Sequence, residues 1–164
     1  MSWFSPLQLR EYSLLALHVQ ANEAYAVTPD NAFESAVGFE FDMREHVDKN
    51  YYRLRMTVYI NQDERSYSRA PYRIAITLQG IFEAGEKGKN EEETKMLLWS
   101  NGLAILYSVA RGIVGQASGT SIHGKFVLPT VNFFEVLKDK MNELTLKKKS
   151  DASRLKKESR RGKR

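Results

Sequence analysis

Two stretches of this chain alternate apolar and polar residues with a period of two. In one, Tyr52, Leu54, Met56, Val58 and Ile60 interleave with Arg53, Arg55, Thr57 and Tyr59. In the other, Tyr72, Ile74, Ile76, Leu78, Gly80 and Phe82 interleave with Arg73, Thr77 and Gln79. Successive side chains of a strand point to opposite faces, so each stretch predicts a strand with one buried face. The polar link from Asn61 to Pro71 predicts a hairpin loop between them, with Asp63 and Glu64 at its tip. Val37, Phe39, Phe41 and Met43 alternate with Gly38, Glu40, Asp42 and Arg44, giving a further strand. The first strand, about Leu7 to Val19, is less regular. Leu7 and Leu9 share a phase with Leu15, Leu17 and Val19, but Glu11 interrupts it, which predicts a bulge or bend. The connection Gln20 to Ser35 has turn chemistry at Thr28-Pro29-Asp30-Asn31, yet it also carries Tyr25, Val27 and Phe33. A connection this long is usually functional or disordered, and its aromatics favour function.

The second half changes period. Met96, Trp99, Leu103, Leu106, Ala110 and Ile113 recur three and four apart, one apolar stripe of a long helix, with Glu91, Glu92 and Glu93 placed favourably at its positive end. Leu98, Ile105 and Val109 make a second stripe, broken by Gly102 and Gly112. A helix apolar on two faces must bury both. One face covers the sheet, and the other calls for a partner, most simply a second copy, with the glycines permitting close approach. Leu98, Gly102, Ile105, Val109 and Gly112 are therefore the expected oligomer interface. A second helix opens near the end, where Asn132 is a good N-cap and Pro129 keeps the chain extended before it. The expected class is α+β, a four-stranded antiparallel sheet with a long helix and a C-terminal helix packed on one face.

Charge divides the chain in two. Lys147 to Arg164 holds ten of the 25 basic residues and two of the 20 acidic ones, a net of +8. The remainder, with 15 basic and 18 acidic residues, carries −3. The expected organisation is a folded domain over 1–146 and a basic tail over 147–164. The sequence has no cysteine, so disulfides and thiol chemistry are excluded. Its beginning lacks the basic start and apolar run of a signal peptide, and its unbroken apolar stretches fall well short of the roughly 20 residues that span a bilayer. The expectation is a soluble, cytoplasmic protein that is not membrane-embedded.

Catalytic signatures are weak. Gly119 and Gly124-Lys125 have phosphate-loop spacing, but Phe126 stands where a magnesium-binding hydroxyl is needed, and a helix precedes the loop instead of a strand. His18, His46 and His123 show no ligand spacing. The reading is a non-enzyme with no metal and no cofactor. The apolar surplus is the better clue: Tyr25, Val27, Phe33, Phe82, Phe126, Val127, Phe133, Phe134, Leu137 and Met141 are candidates either for core or for a binding groove. Phe133 and Phe134 cannot both face one core, because consecutive helical residues diverge by about 100°.

Three short motifs lie in order along the chain. Leu128-Pro129-Thr130-Val131-Asn132-Phe133 resembles the Pro-Val-Asn-Phe element near the end of SecB-family protein-export chaperones. Leu78-Gln79-Gly80-Ile81-Phe82 resembles the family's Gln-Gly-Gly-Ile-Phe, and Ser118-Gly119-Thr120 its Arg-Gly-Thr, with Tyr107 at the place of its tyrosine. The resemblance runs from about Leu7 to Met141. It implies a homotetramer, a dimer of dimers, that acts without ATP as a holdase for unfolded or pre-export polypeptides and passes them to SecA. Tyr25, Val27, Phe33, Phe82, Phe126, Phe133, Phe134, Leu137 and Met141 would then bind clients.

The chain departs from the family's pattern at Leu106, Val109 and the inserted Thr130, and most in its tail. Lys147, Lys148, Lys149, Arg160 and Arg161 replace the family's short SecA-docking end and suit an anionic partner instead. That places SecA docking in doubt and leaves room for a dedicated client such as an antitoxin. The alternative function is a nucleic-acid or ribosome-binding adaptor working through the tail.

Overall fold

The computed structural model describes residues 5–26, 35–45, 50–84 and 91–140. They fall in two compact units, Met1–Thr130 and Val131–Arg164. The expected boundary at 146/147 lies outside the described residues, along with Met141 and the whole basic tail.

The first unit contains strands β1 (Leu7–Ala21), β2 (Val37–Glu45), β3 (Tyr51–Ile60) and β4 (Tyr72–Ala84). They form one antiparallel sheet in the order β1-β4-β3-β2. β2, β3 and β4 follow one another by short connections, while the chain crosses from one sheet edge to the other between β1 and β2. The period-two reading holds residue by residue. Leu54, Met56, Val58, Ile60, Ile74, Leu78 and Phe82 are fully buried. Opposite them on the other face, Thr57 and Thr77 join side chains across strands at 3.0 Å.

β1 contains the expected irregularity, and it contains two. The register against β4 shifts between Leu9 and Glu11 and again between Leu14 and Ala16. Residues directly opposite in a ladder share a face. Tyr12 opposite Gly80, Leu14 opposite Leu78 and Leu17 opposite Ile76 therefore lie on the core face. Leu7, Leu9 and Val19 share that face as the sequence suggests, and Leu15, which falls at the second shift, has no partner in the ladder.

The β3–β4 link is more ordered than a plain loop. It forms a single helical turn, α1 (Glu64–Tyr67), capped by the Asp63 side chain, which accepts from the Ser66 N–H at 2.9 Å. The Ser66 hydroxyl also holds the Asp63 carboxyl below its ordinary range. Two buried asparagines secure the strand ends. Asn22 donates to the carbonyls of Tyr67 and Ala70 and accepts from the Ala24 N–H. Asn61, 1% exposed with φ +52°, accepts from the Ala36 N–H and donates to the Tyr72 carbonyl.

The long helix runs as α2 (Glu91–Leu97), a π-helical segment Leu98–Gly102 and α3 (Leu103–Ser118). By length and composition its span Glu92–Ser118 is apolar enough to cross a bilayer. Its apolar stripe is used on the sheet instead. A residue at Gly80 with a Cβ would come within 2.9 Å of Leu106 Cδ2 and 2.7 Å of Phe82 Cε2, so the glycine is what allows α3 to sit this low. Gly102, at the end of the π segment, faces the sheet, its Cβ direction aimed at Leu54 Cδ2 3.0 Å away.

The π segment accounts for a difference from the sequence reading. Its hydrogen bonds reach back one residue further than those of an α-helix, so each turn takes in an extra residue and rotates the following face. Leu98 becomes fully buried while Met96, expected in the core stripe, is 51% exposed. Tyr107, 4% exposed, donates to the Pro129 carbonyl at 2.7 Å and packs edge-on against Phe39, while Trp99 packs on Phe41. In the second unit, residues 133–140 are helical and Asn132 caps them, accepting from the Phe134 N–H at 3.1 Å.

Two measurements check these supports. Asn61→Ala removes two side-chain hydrogen bonds at a buried site and puts alanine, which tolerates the left-handed region less well than asparagine, at φ +52°; it is expected to lower stability by about 3 kcal/mol. Asn61→Gly keeps the backbone freedom and should cost about half as much, both read by urea unfolding. Burial raises the Tyr107 hydroxyl to about 12. Because its folded value lies above the unfolded value near 10, its contribution is complete below about pH 10 and is lost as pH rises toward 12. An alkaline titration of stability should show this loss in the wild type, and Tyr107→Phe should flatten that component.

Candidate client-binding surfaces

An aromatic cluster forms where the β1–β2 connection begins. Tyr25 is held by a turn in which its N–H donates to the Asn22 carbonyl at 3.0 Å. Its ring meets His123 edge-on at 5.5 Å, His123 meets Tyr72 at 5.7 Å, and Tyr72 meets Phe126 at 5.7 Å. His123 Nε2 lies 2.8 Å from the Asn22 carbonyl, which requires that nitrogen to be the donor. Tyr72 donates to the Gly124 carbonyl, whose residue has φ +71°. The Ser118 hydroxyl donates to the Val114 carbonyl and accepts from the Phe126 N–H, fixing the chain as it leaves the helix.

Two of the expected client-binding residues, Tyr25 and Phe126, are thus brought into one cluster. His123 is the piece the sequence reading missed. Its partner Asn22 is 101 residues away, and nothing in local spacing announces such a bridge.

The other expected residues separate by exposure. Phe82 is fully buried between sheet and helix, so it is core and not groove lining. Phe126 is 8% exposed, and its neighbours Ile122 and Val127 present the apolar surface of that loop at 68% and 54%. In the second unit Phe133 is 4% exposed and Phe134 60%, the divergence expected of adjacent helical positions. Leu137 is half-buried. Val27, Phe33, Met141 and the tail residues Lys147, Lys148, Lys149, Arg160 and Arg161 lie outside the described residues.

The expected oligomer stripe also divides. Leu98 and Gly102 are buried against the chain's own sheet, because the π segment turns them inward. Ile105 and Val109 are half-buried, and Gly112 has open space where a side chain would project.

A surface absent from the sequence reading lies on β1. Tyr12, Leu14, Leu15 and Leu17 are 37–51% exposed on an edge strand. Tyr12, Leu14 and Leu17 continue the core face beyond the area the helix covers. Alternation alone could not reveal this, because two bulges change the phase within ten residues. Among the described residues no group of His, Cys, Asp or Glu is arranged to hold a metal ion.

No protein-family profile matches the sequence, and no curated protein matches it. Solved structures do resemble it. The Mycobacterium tuberculosis SecB-like chaperone Rv1957, solved in complex with a ChAD peptide from the Rv1956 HigA1 antitoxin, aligns with a TM-score of 0.58 at 16% identity, over 76% of this chain and 90% of that one. A Streptococcus agalactiae protein of unknown function aligns with a TM-score of 0.41 at 7% identity, over 76% and 97%. With its four-stranded antiparallel sheet crossed by one long helix and its colinear motifs, this chain has the SecB-like chaperone fold.

Proposed function

We propose that the protein is an ATP-independent holdase that binds unfolded polypeptide through exposed apolar surface. The observation that carries this reading is the row Tyr12, Leu14, Leu15 and Leu17 on an edge strand. Among the described residues β1 pairs on one side only, and an apolar row on such an edge suits an extended segment, whose main chain can add to the sheet while its side chains lie on the apolar face. Ile122 and Val127 in the interhelix loop, the half-buried Tyr25, and Phe134 and Leu137 in the second unit add separate apolar sites. Many weak sites engaged together give avidity without selecting one sequence. The bound antitoxin peptide of the similar mycobacterial chaperone supports a polypeptide client. Delivery to SecA, a role in export, a dedicated antitoxin client and a cytoplasmic location are finer readings that rest on the sequence motifs.

Self-association belongs to the same proposal. The outward helix positions Ile105, Val109 and Gly112 suit a second copy, and a tetramer built as a dimer of dimers is the assembly the resemblance implies. Ile105→Asp combined with Val109→Asp is expected to reduce the mass measured by light scattering after size exclusion. An unchanged mass would remove this stripe from the interface.

The holdase reading is tested by diluting a chemically unfolded reporter protein into the full chain and into a chain ending at Leu146, each at low and high salt. Suppression of aggregation should survive both salt and truncation, because burial of apolar surface is little screened by ions. The net charge of +8 over 147–164 favours a second reading, an adaptor for nucleic acid or the ribosome. That reading expects binding that collapses with salt and with truncation.

A further inference from the structure

The sheet face turned away from the helix carries a recess of about 380 Å³, lined by Arg44, Glu45, Tyr51, Tyr52, Arg53, Gln79 and Ile81. Arg44 on β2 lies directly opposite Arg53 on β3. Arg55, the next residue on that face of β3, lies opposite Asp42 on one side and Gln79 on the other. Like charges directly across a strand pair repel, and a sheet built only for stability would not place two arginines so. Arg44 has a carboxylate nearby, Asp42 at 3.9 Å, but both side chains are largely exposed, at 73% and 51%. Arg53 is half-buried and has no ion pair among the described residues. Two guanidinium groups that face each other across a ladder can fork around one oxyanion, which relieves their repulsion and satisfies donors of both.

We propose that this recess is a subsite for a single carboxylate carried beside an apolar side chain in a polypeptide segment. The carboxylate lies between Arg44 and Arg53, and the neighbouring apolar group rests on Ile81 and the Tyr51 ring. Surrounding charge decides against a phosphate backbone. Asp42 flanks the recess on the face that carries Arg44. Glu40, along β2, accepts from the Tyr59 hydroxyl at 3.0 Å. Toward the other sheet edge stand Glu83, opposite Tyr51 and paired with Arg10, and Glu11, opposite Ile81. A polyanion following the face in any direction would meet one of these acids within a few residues, whereas an isolated carboxylate occupies only the positive centre. The subsite adds a sequence preference to the proposed polypeptide binding and rests on that reading for its client.

The test uses fluorescence anisotropy of two labelled hexapeptides, one with an aspartate between leucine and phenylalanine and the other with asparagine in its place, titrated with the full chain. The aspartate peptide should bind about tenfold more tightly, the scale of one charge-assisted hydrogen bond. Arg53→Gln and Arg44→Gln should each abolish that difference and leave the asparagine peptide unchanged. Both variants keep the basic tail, so a preference that survives in them belongs to the tail and overturns the proposal. Equal affinities in the wild type also overturn it. Competition by oligodeoxythymidylate that is lost in Arg53→Gln would assign the recess to phosphodiesters and overturn the carboxylate. Equal affinities of the two peptides in the wild type alongside intact suppression of aggregation would remove the subsite and leave the holdase reading standing.

Discussion

The close approach of one helix to the buried face of the sheet underlies the rest of the structure. That face is a continuous apolar surface made by β3 and β4, and Gly80 and Gly102 are the two places where a missing Cβ lets helix and sheet meet. A side chain at Gly80 would run into Phe82 and Leu106, and one at Gly102 would approach Leu54. The resulting core is dense, and interiors of this density tolerate changes in volume poorly. The helix, with Trp99 and Tyr107 reaching Phe41 and Phe39 on β2, meets β1 as well but covers it only in part: Leu7 is buried, whereas Tyr12, Leu14, Leu15 and Leu17 stay exposed. The exposed apolar row on β1 follows from that geometry.

Two local irregularities determine which residues reach that core. The bulges in β1 move its phase twice, so the apolar residues on the core face are Leu7, Leu9, Tyr12, Leu14, Leu17 and Val19 in place of a strict alternation. The π segment does the same for the helix, drawing Leu98 inward and turning Met96 outward. Both are one-residue insertions in an otherwise regular ladder, and devices of this kind concentrate near functional surfaces. Here each one borders a surface proposed for partners, β1 on one side and the outward helix on the other.

Polar anchoring completes the frame. Asn22 and Asn61 bind backbone groups at the ends of connections, and His123 joins the start of the long β1–β2 connection to the interhelix loop. Among the described residues no buried side-chain nitrogen or oxygen lacks a partner. These bonds bring the aromatic residues Tyr25, Tyr72 and Phe126 together although they are far apart in the chain.

The sequence by itself determined the α+β class, the face each residue of β3 and β4 presents, the N-cap at Asn132, the split between Phe133 and Phe134, and the partition of charge between body and tail. These depend on local periodicity or on counting, which survive without knowledge of what packs where. The tertiary structure alone decided that Phe82, Leu98 and Gly102 belong to the core, that His123 bridges the aromatic cluster, that β1 leaves an apolar row uncovered, and that Arg44 faces Arg53. Each of these depends on strand register or on contacts between distant segments. A shift of one residue reverses a strand's faces or rotates a helix, and the energy that sets the register is summed over the whole sheet and core, not read from any one stretch.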